Sequence, residues 1–215
     1  MSAYYQDDLV TLYHGDCLEV TEWLAADVLI TDPPYGSENL AGGGYGRHGF
    51  TIANDRDTEA RDKAVLLWGN RPRLVFGTPR MPEPPGNLNN RLVWDKREPG
   101  MNGGAWRYTH ELIFVGGEGW VRQSNSSFSI LPFPSGNGSY EKTLHAHAKP
   151  LQLMQSLILS APPGVIAEPF AGSGSTVVAA RNLGRRVIAV EIEEEHCESV
   201  IKRLSQQAFD LGDIA

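Results

Sequence analysis

The segment TDPPYG, residues 31–36, places a carboxylate, two prolines and an aromatic ring directly after an apolar run. Pro33 has no backbone N–H but keeps its carbonyl oxygen, so this oxygen and the Asp32 carboxylate can form two acceptors in fixed geometry. Such a pair suits the two hydrogens of an NH2 group, and Tyr35 adds a flat face for stacking. Adenine and cytosine carry exocyclic amino groups on flat rings. We therefore predict that Asp32, Pro33, Pro34 and Tyr35 hold such an amine and favour a tetrahedral nitrogen that can attack an electrophile.

A second segment that could bind a ligand is EPFAGSGST, residues 168–176, which joins a predicted strand to a predicted helix. Gly172 and Gly174 would let its backbone approach a ligand closely. A dinucleotide fingerprint would need a third glycine at position 177, where valine stands, and a P-loop would need a lysine. Glu191 ends the next predicted strand, where a carboxylate can accept hydrogen bonds from ribose hydroxyls. The pattern predicts an adenosine-type cofactor.

Both segments must be positioned by alternating strands and helices. The hydrophobic patterns predict strands and helices that alternate over most of the chain, which is typical of an α/β fold with a mostly parallel sheet. Ligands in such sheets bind beyond the carboxyl ends of the strands, and both segments follow such ends. The predicted strands are 9–15, 27–31, 73–77, 91–95, 111–116, 165–170 and 186–191. The predicted helices are 17–25, 57–70, 151–161, 174–183 and 193–208.

The charge of the chain is unevenly distributed. The 215 residues have a net charge of −7 and 41% hydrophobic residues, which we interpret as one globular domain over 1–215. Residues 47–149 hold 14 Lys/Arg and 10 Asp/Glu, a balance of +4, and the rest hold 5 and 16, a balance of −11. A basic middle can face DNA because phosphate contacts depend on local charge. On charge alone, an uneven solvated surface is the simpler interpretation.

The remaining composition indicates a cytoplasmic location. There is no run of 18 apolar residues that could cross a membrane, and the N-terminus is acidic without a signal-peptide pattern. Cys17 and Cys197 lie outside CxxC or zinc-ligand spacings, so we expect reduced thiols. His145 and His147 lack acidic or Cys partners at ligand spacing, so we expect no metal site.

TDPPYG, EPFAGSGST and RVIAVEIEEEHCESVIKRL together resemble the S-adenosylmethionine-dependent amino-methyltransferases of DNA. The DPPY element precedes the cofactor loop, which is similar to the permuted β class of that family. The resemblance covers most of the chain, with further matching segments at 15–17, 92–100, 109–116 and 145–158. Glu168 stands where that family more often has Asp. The resemblance implies a Rossmann-like methyltransferase fold, with helices on both faces of the sheet.

The resemblance also implies roles for individual residues. Glu191 would hold the cofactor ribose, Asp16 would lie near its adenine, and Lys149 would border its methionine end. Asp32, with the residues that follow it, would hold a base that has left the duplex. The full set of residues expected at S-adenosylmethionine is Asp16, Lys149, Phe170, Gly172, Ser173, Gly174, Thr176 and Glu191.

We therefore expect a site-specific DNA methyltransferase that acts on the N6 amino group of adenine in double-stranded DNA. By resemblance, Asp at position 32 favours adenine, whereas Ser would favour cytosine. Residues 117–143 would form a short target-recognition segment. The resemblance also permits a homodimer and a cognate restriction endonuclease as partners. Candidate contacts to the DNA backbone are Arg71, Arg73, Arg80, Lys96, Arg97 and Arg107.

Four alternatives stay open at this point. The first is the same chemistry on the N4 amino group of cytosine, and the second is an inactive DNA-binding relative. A protein-glutamine methyltransferase usually has Asn-Pro-Pro-Tyr after the cofactor loop, so both residue and order disagree. A nicotinamide oxidoreductase would need the third glycine that is absent at 177.

Overall fold

The computed structural model describes residues 2–36, 56–97, 106–121, 128–135 and 148–212. The glycine-rich segment 37–55 and much of the segment 117–143 therefore lie outside the described residues. The nine strands are β1 (Tyr5–Gln6), β2 (Val10–His14), β3 (Val28–Thr31), β4 (Arg73–Gly77), β5 (Leu88–Asp95), β6 (His110–Gly116), β7 (Ile130–Pro132), β8 (Ile166–Glu168) and β9 (Val187–Glu191). The helices are α1 (Glu59–Trp68), α2 (Leu151–Ser160), α3 (Ser175–Asn182) and α4 (Glu194–Gly212). A 3₁₀ helix spans Glu22–Ala25.

The strands form one sheet in the order β1-β2-β9-β8-β3-β4-β6-β5-β7. Five of the eight strand pairings among the described residues are parallel, which confirms the predicted, mostly parallel α/β fold. Strand β6 runs antiparallel between β4 and β5. Its first residues therefore lie at the edge of the sheet where β3, β4 and β5 end. This reversal decides which side chains meet at the site.

Successive residues of the central strands point to opposite faces, and each face has its own core. Ile30 belongs to a cluster with the apolar faces of α2, α3 and α4. Leu29 belongs to the opposite cluster, which contains the 3₁₀ helix and α1. In that second cluster the rings of Trp23 and Trp68 stack, with centroids 5.9 Å apart. Helices thus cover both faces, as expected, and leave the strand ends accessible for a site.

Most of the predicted elements are found within two or three residues of their expected limits. The helix predicted at 17–25 is wrong, because only a turn at 17–19 and the short 3₁₀ helix form there. The Cys17 carbonyl, which in an α-helix would accept the N–H of Thr21, accepts the indole N–H of the buried Trp23 at 2.9 Å instead. The edge strand β1 and the limits of β7 were not predicted, and α4 extends beyond 208. None of the described helices is long and apolar enough to span a bilayer.

Candidate active site

Two groups of polar residues lie beyond the strand ends at one edge of the sheet. One group follows β3, β4 and β5 and includes the start of β6. The other group follows β2, β8 and β9 and contains the glycine loop. We call the first the Asp32 cluster, which consists of Asp32, Tyr35, Lys96, Glu111 and Lys149.

In the Asp32 cluster both carboxylate oxygens of Asp32 are engaged. The hydroxyl of Tyr35 donates to Oδ1 at 2.6 Å, and the ammonium of Lys149 lies 2.5 Å from Oδ2. Lys149 is buried, and its Nζ also lies 5.4 Å from the centre of the Tyr35 ring. The side chain that the sequence assigned to the cofactor is thus joined to the predicted catalytic carboxylate.

Glu111, the second residue of β6, is the other carboxylate of this cluster. Its Oε2 lies 3.2 Å from the Tyr35 hydroxyl and 3.4 Å from Lys149 Nζ, while its Oε1 binds Lys96 Nζ at 2.5 Å. Burial acts to raise the pKa of Glu111, but Lys149 and Lys96 outweigh it and the pKa is lowered. Glu111 is therefore ionised at neutral pH.

Lys149 and Tyr35 of the cluster keep their protons. Burial acts to lower the pKa of Lys149, but the carboxylates of Asp32 and Glu111 outweigh it, so the pKa is raised. Burial, followed by the charges of Asp32 and Glu111, raises the pKa of Tyr35 well above its ordinary value. Tyr35 is thus a neutral donor and Lys149 a cation.

The second group is organised by Glu191, the last residue of β9. Its Oε2 accepts the backbone N–H of Gly172 at 2.6 Å, and its Oε1 accepts that of Glu193 at 2.9 Å. The backbone N–H of Gly15, just before Asp16, donates to the Glu191 carbonyl at 2.8 Å. The structure therefore brings together the predicted cofactor residues Asp16, Gly172 and Glu191. A hydrogen bond that His196 donates to the Glu191 carboxylate raises the pKa of this neighbouring histidine.

The two glycines of the loop have different roles in the fold. Both have positive φ, +48° at Gly172 and +79° at Gly174. A Cβ on Gly172 would point into open space, with its nearest neighbour 4.0 Å away. A Cβ on Gly174 would lie 2.8 Å from a methyl group of Val200 in α4. Gly174 therefore allows α3 and α4 to pack, whereas Gly172 leaves open space beside Glu191.

Glu168, at the end of β8, connects the two groups. The hydroxyl of Thr31 donates to its Oε1 at 2.5 Å, and that of Thr176 donates to its Oε2 at 2.6 Å. Phe170 N–H adds a third contact at 3.2 Å. Complete burial raises the pKa of Glu168 to about 8, against the lowering effect of these donors. Thr176 was expected at the cofactor, but its side chain is buried against Glu168.

Of the other predicted residues, Ser173 and Phe170 lie in the loop itself. The Ser173 carbonyl accepts a hydrogen bond from Arg203 at 2.5 Å, which ties the loop to α4. Pro33 is buried and Pro34 is partly buried beside Asp32. His145 and His147 lie outside the described residues, so the expectation of no metal site stays a prediction.

Sequence reasoning missed Glu111 as a site residue and misjudged several of the basic side chains. Arg73 is buried at the start of β4, where its guanidinium donates to the carbonyls of Gly69 and Asn87. Arg71 donates to the carbonyls of Leu24 and Ala26 at the same edge. Both arginines lie at the edge of the sheet opposite the site. Their hydrogen bonds to backbone carbonyls stabilise the fold, and they are not candidates for DNA contact. Lys96 belongs to the Asp32 cluster.

The family match and the similarity to known proteins point to the same family. Residues 120–203 match the family described as DNA methylase, of the N6/N4 type. The chain is 30% identical over 233 residues to a protein named methylase YubD of Escherichia coli (strain K12), covering 92% of each chain. It is 24% identical over 255 residues to the type II methyltransferase M2.LlaDCHI of Lactococcus lactis subsp. cremoris, covering 95% of this chain and 93% of that protein.

Solved structures share the fold. The M1.HpyAVI complex with SAM superposes with a TM-score of 0.64 at 22% identity, covering 91% of this chain and 99% of that one. The cytosine-N4-specific PvuII DNA methyltransferase gives 0.65 at 15% identity, covering 94% and 88%. The fold is thus the Rossmann-like fold of DNA methyltransferases. Together with the similarity to YubD along nearly the whole length of both chains, this shows that the chain belongs to the DNA methylase family and is a DNA methyltransferase of the N6-adenine or N4-cytosine type.

Proposed function

We propose that this protein transfers a methyl group from S-adenosylmethionine to the exocyclic N6 amino group of adenine at specific sites in double-stranded DNA. The observation that carries the proposal is the Asp32 carboxylate, which lies beside the Tyr35 ring at the same sheet edge as the glycine loop and Glu191. Methyl transfer to an amino group requires hydrogen-bond acceptors for that group close to the cofactor site. Here the two lie at neighbouring strand ends. The order of the two elements along the chain supports membership of the permuted β class.

The residues beside the glycine loop fit the cofactor. The Glu191 carboxylate is held by two backbone N–H groups, one on each oxygen. His196 Nδ1 lies 3.5 Å from Oε1 as well. A carboxylate can accept about four hydrogen bonds, so Oε2 retains capacity for a ribose hydroxyl. The open space at Gly172 adjoins this oxygen. Glu191, Gly172 and Asp16 would thus hold the nucleoside part of S-adenosylmethionine, with Phe170 and Ser173 in the same loop.

When bound, S-adenosylmethionine supplies an electrophilic methyl carbon, whose bond to sulfur breaks as the bond to nitrogen forms. The chain contributes orientation and charge. Asp32 and the Pro33 carbonyl accept the hydrogens of the amino group, and Tyr35 stacks on the base. These acceptors stabilise the positive charge that develops on nitrogen in the transition state and fix its approach. The nitrogen then gives up one proton to water.

The target base has to leave the duplex before it can reach Asp32, because the side chains of Asp32 and its partner Lys149 are only 26% and 9% exposed. Unstacking costs about a few kcal/mol. We propose that residues 117–143 form the target-recognition segment of a single domain over 1–215. Type II relatives such as M2.LlaDCHI support site-specific action. We also propose a homodimer and a cognate restriction endonuclease as partners.

The test is methyl transfer from isotopically labelled S-adenosylmethionine to mixed-sequence duplex DNA, followed by digestion to nucleosides and mass spectrometry. We expect label in N6-methyladenine and none in N4-methylcytosine. Asp32→Ala is expected to lower the rate at least about a thousandfold while leaving the affinity for S-adenosylmethionine within about twofold. Label in N4-methylcytosine would overturn the choice of base, and label in neither nucleoside would overturn the proposed function.

A further inference from the structure

The proposed chemistry raises a question about the Asp32 carboxylate. Its two oxygens already accept the Tyr35 hydroxyl at 2.6 Å and the Lys149 ammonium at 2.5 Å. Each oxygen keeps one further acceptor site, but an incoming amino group would meet a carboxylate whose charge the ammonium already offsets. Lys149 has the larger effect of the two donors, because its positive charge adds Coulomb attraction to its hydrogen bond. Either these donors move, or Asp32 stabilises the amino group less than an unpaired carboxylate would.

Glu111 offers both donors a second acceptor. Its Oε2 lies 3.2 Å from the Tyr35 hydroxyl and 3.4 Å from Lys149 Nζ. The phenol has one hydrogen, so it donates to only one of the two carboxylates at a time. Shifts of less than about 1 Å would bring both donors to ordinary hydrogen-bond distance from Glu111. Each donor would keep a carboxylate partner throughout, so no buried charge would be left unpaired.

The position of Glu111 is fixed from the other side. Lys96 Nζ binds its Oε1 at 2.5 Å, and the ring of Trp94 lies 4.9 Å from the same ammonium. The side chain of Glu111 is only 15% exposed. The acceptor therefore stays in place while its Oε2 receives the two mobile donors.

We propose that Glu111 is a positioning residue, which receives Lys149 and the Tyr35 hydroxyl when Asp32 takes up the amino group of the target base. This inference rests on the proposed function, because it assumes that Asp32 binds an amine. Glu111 does not touch the base itself. It acts by releasing Asp32 and by keeping the Tyr35 ring tethered at its hydroxyl for stacking.

The decisive variant is Glu111→Gln, which keeps the shape but removes the negative charge that draws Lys149 away. The matched control is Glu198→Gln, the same change at an exposed position of α4 that belongs neither to the Asp32 cluster nor to the proposed target-recognition segment. In the labelled-methyl assay at pH 7.5 we expect Glu111→Gln to lower kcat/KM for DNA about ten- to a hundredfold, a range typical of misplaced catalytic groups. Its affinity for S-adenosylmethionine without DNA should stay within about twofold of the wild type. Glu111→Asp, which keeps the charge, should retain more activity than Glu111→Gln.

A pH profile separates this role from simple support of the fold. Among the described residues, the charged or titratable groups that face Lys149 are Asp32, Glu111 and Tyr35, with Lys96 beyond Glu111. Glu111→Gln removes one of the two carboxylates that raise the pKa of Lys149. Lys149 should therefore lose its proton at lower pH in this variant, and its ion pair with Asp32 should weaken. The defect of Glu111→Gln should become smaller between pH 7.5 and 9.5.

The outcomes are distinct. If the wild type labels DNA and Glu111→Gln labels it equally well, or with a loss that does not change with pH, the proposed role of Glu111 is wrong. If Glu111→Gln retains more activity than Glu111→Asp, the requirement for charge is also wrong. If the wild type itself transfers no label to DNA while it binds S-adenosylmethionine, the proposed function fails instead.

Discussion

Glu168 is a buried acid whose ionisation should weaken the fold, and Glu168→Gln tests this quantitatively. Burial raises its pKa from an ordinary 4.5 to about 8. Below about pH 4.5 the group is protonated in both the folded and the unfolded chain, so pH has no effect through it. Between pH 4.5 and 8 the unfolded chain releases the proton and the folded protein keeps it. The free energy of unfolding therefore falls as the pH rises.

The size of the effect follows from the two pKa values. Each tenfold difference in proton affinity corresponds to about 1.4 kcal/mol. The difference between 4.5 and about 8 thus removes on the order of 5 kcal/mol by pH 9, when the folded state has also ionised. That is a large part of the roughly 5–15 kcal/mol by which proteins are stable. Gln cannot ionise, so Glu168→Gln should remove this part of the pH dependence.

Urea unfolding at pH 5, 7 and 9 measures the effect, and the buried, stacked Trp23 and Trp68 provide the fluorescence signal. Relative to the wild type, Glu168→Gln should gain several kcal/mol in its free energy of unfolding between pH 5 and pH 9. Glu198→Gln, the same change at an exposed position of α4, should follow the wild-type pH dependence. Curves for Glu168→Gln and the wild type that stay parallel within about 1 kcal/mol would refute the argument that burial holds the proton on Glu168.

Two further predictions concern the glycine loop. Gly172→Ala has room for its Cβ, so it should lower the free energy of unfolding by only about 1 kcal/mol through its positive φ. It should nevertheless weaken S-adenosylmethionine binding about tenfold or more in a calorimetric titration. Unchanged affinity would show that the open space at Gly172 does not hold the cofactor. Gly174→Ala would place a Cβ 2.8 Å from Val200, so it should cost about 2–4 kcal/mol in overpacking and strain and lower Tm in a thermal melt. Adding Val200→Ala should restore part of that Tm, and a further loss would contradict the packing explanation.

The parts of the fold that could be predicted are those determined by local patterns. The apolar runs that form β3, β4 and β9 are short, continuous and followed by turn residues, so their position and burial follow from sequence alone. The same holds for the placement of Asp32 and Glu191 at strand ends. The helix expected at 17–25 failed because the indole of Trp23, buried against the sheet, donates to the Cys17 carbonyl, an acceptor that a continuing helix would use for the backbone N–H of Thr21.

The network around Asp32 could not be predicted, since it depends on strand direction. Glu111 opens an apolar strand, and a charged residue at that point of a parallel strand would lie at the edge opposite the site. Only the antiparallel pairing of β6 with β4 and β5 brings it to Asp32. The local pattern of β6 is the same for either direction, so no spacing in the sequence reveals this contact. Lys149 poses the same problem, because it lies 117 positions from Asp32 in the chain and meets it only through the packing of α2.

Glu168 explains how the amine site and the cofactor site keep a fixed separation. Strand β8 lies between β3 and β9, so its last residue stands between the two groups. The carboxyl group of Glu168 contacts Thr31, which immediately precedes Asp32, and Thr176, which follows the glycine loop in the first turn of α3. When protonated, it donates to one threonine oxygen and accepts from the other, so both contacts persist on either side of its pKa. Displacements of about 1 Å between reacting groups can cost a hundredfold in rate. A side chain that joins both loops within the core therefore links the stability of β8 directly to the alignment needed for methyl transfer.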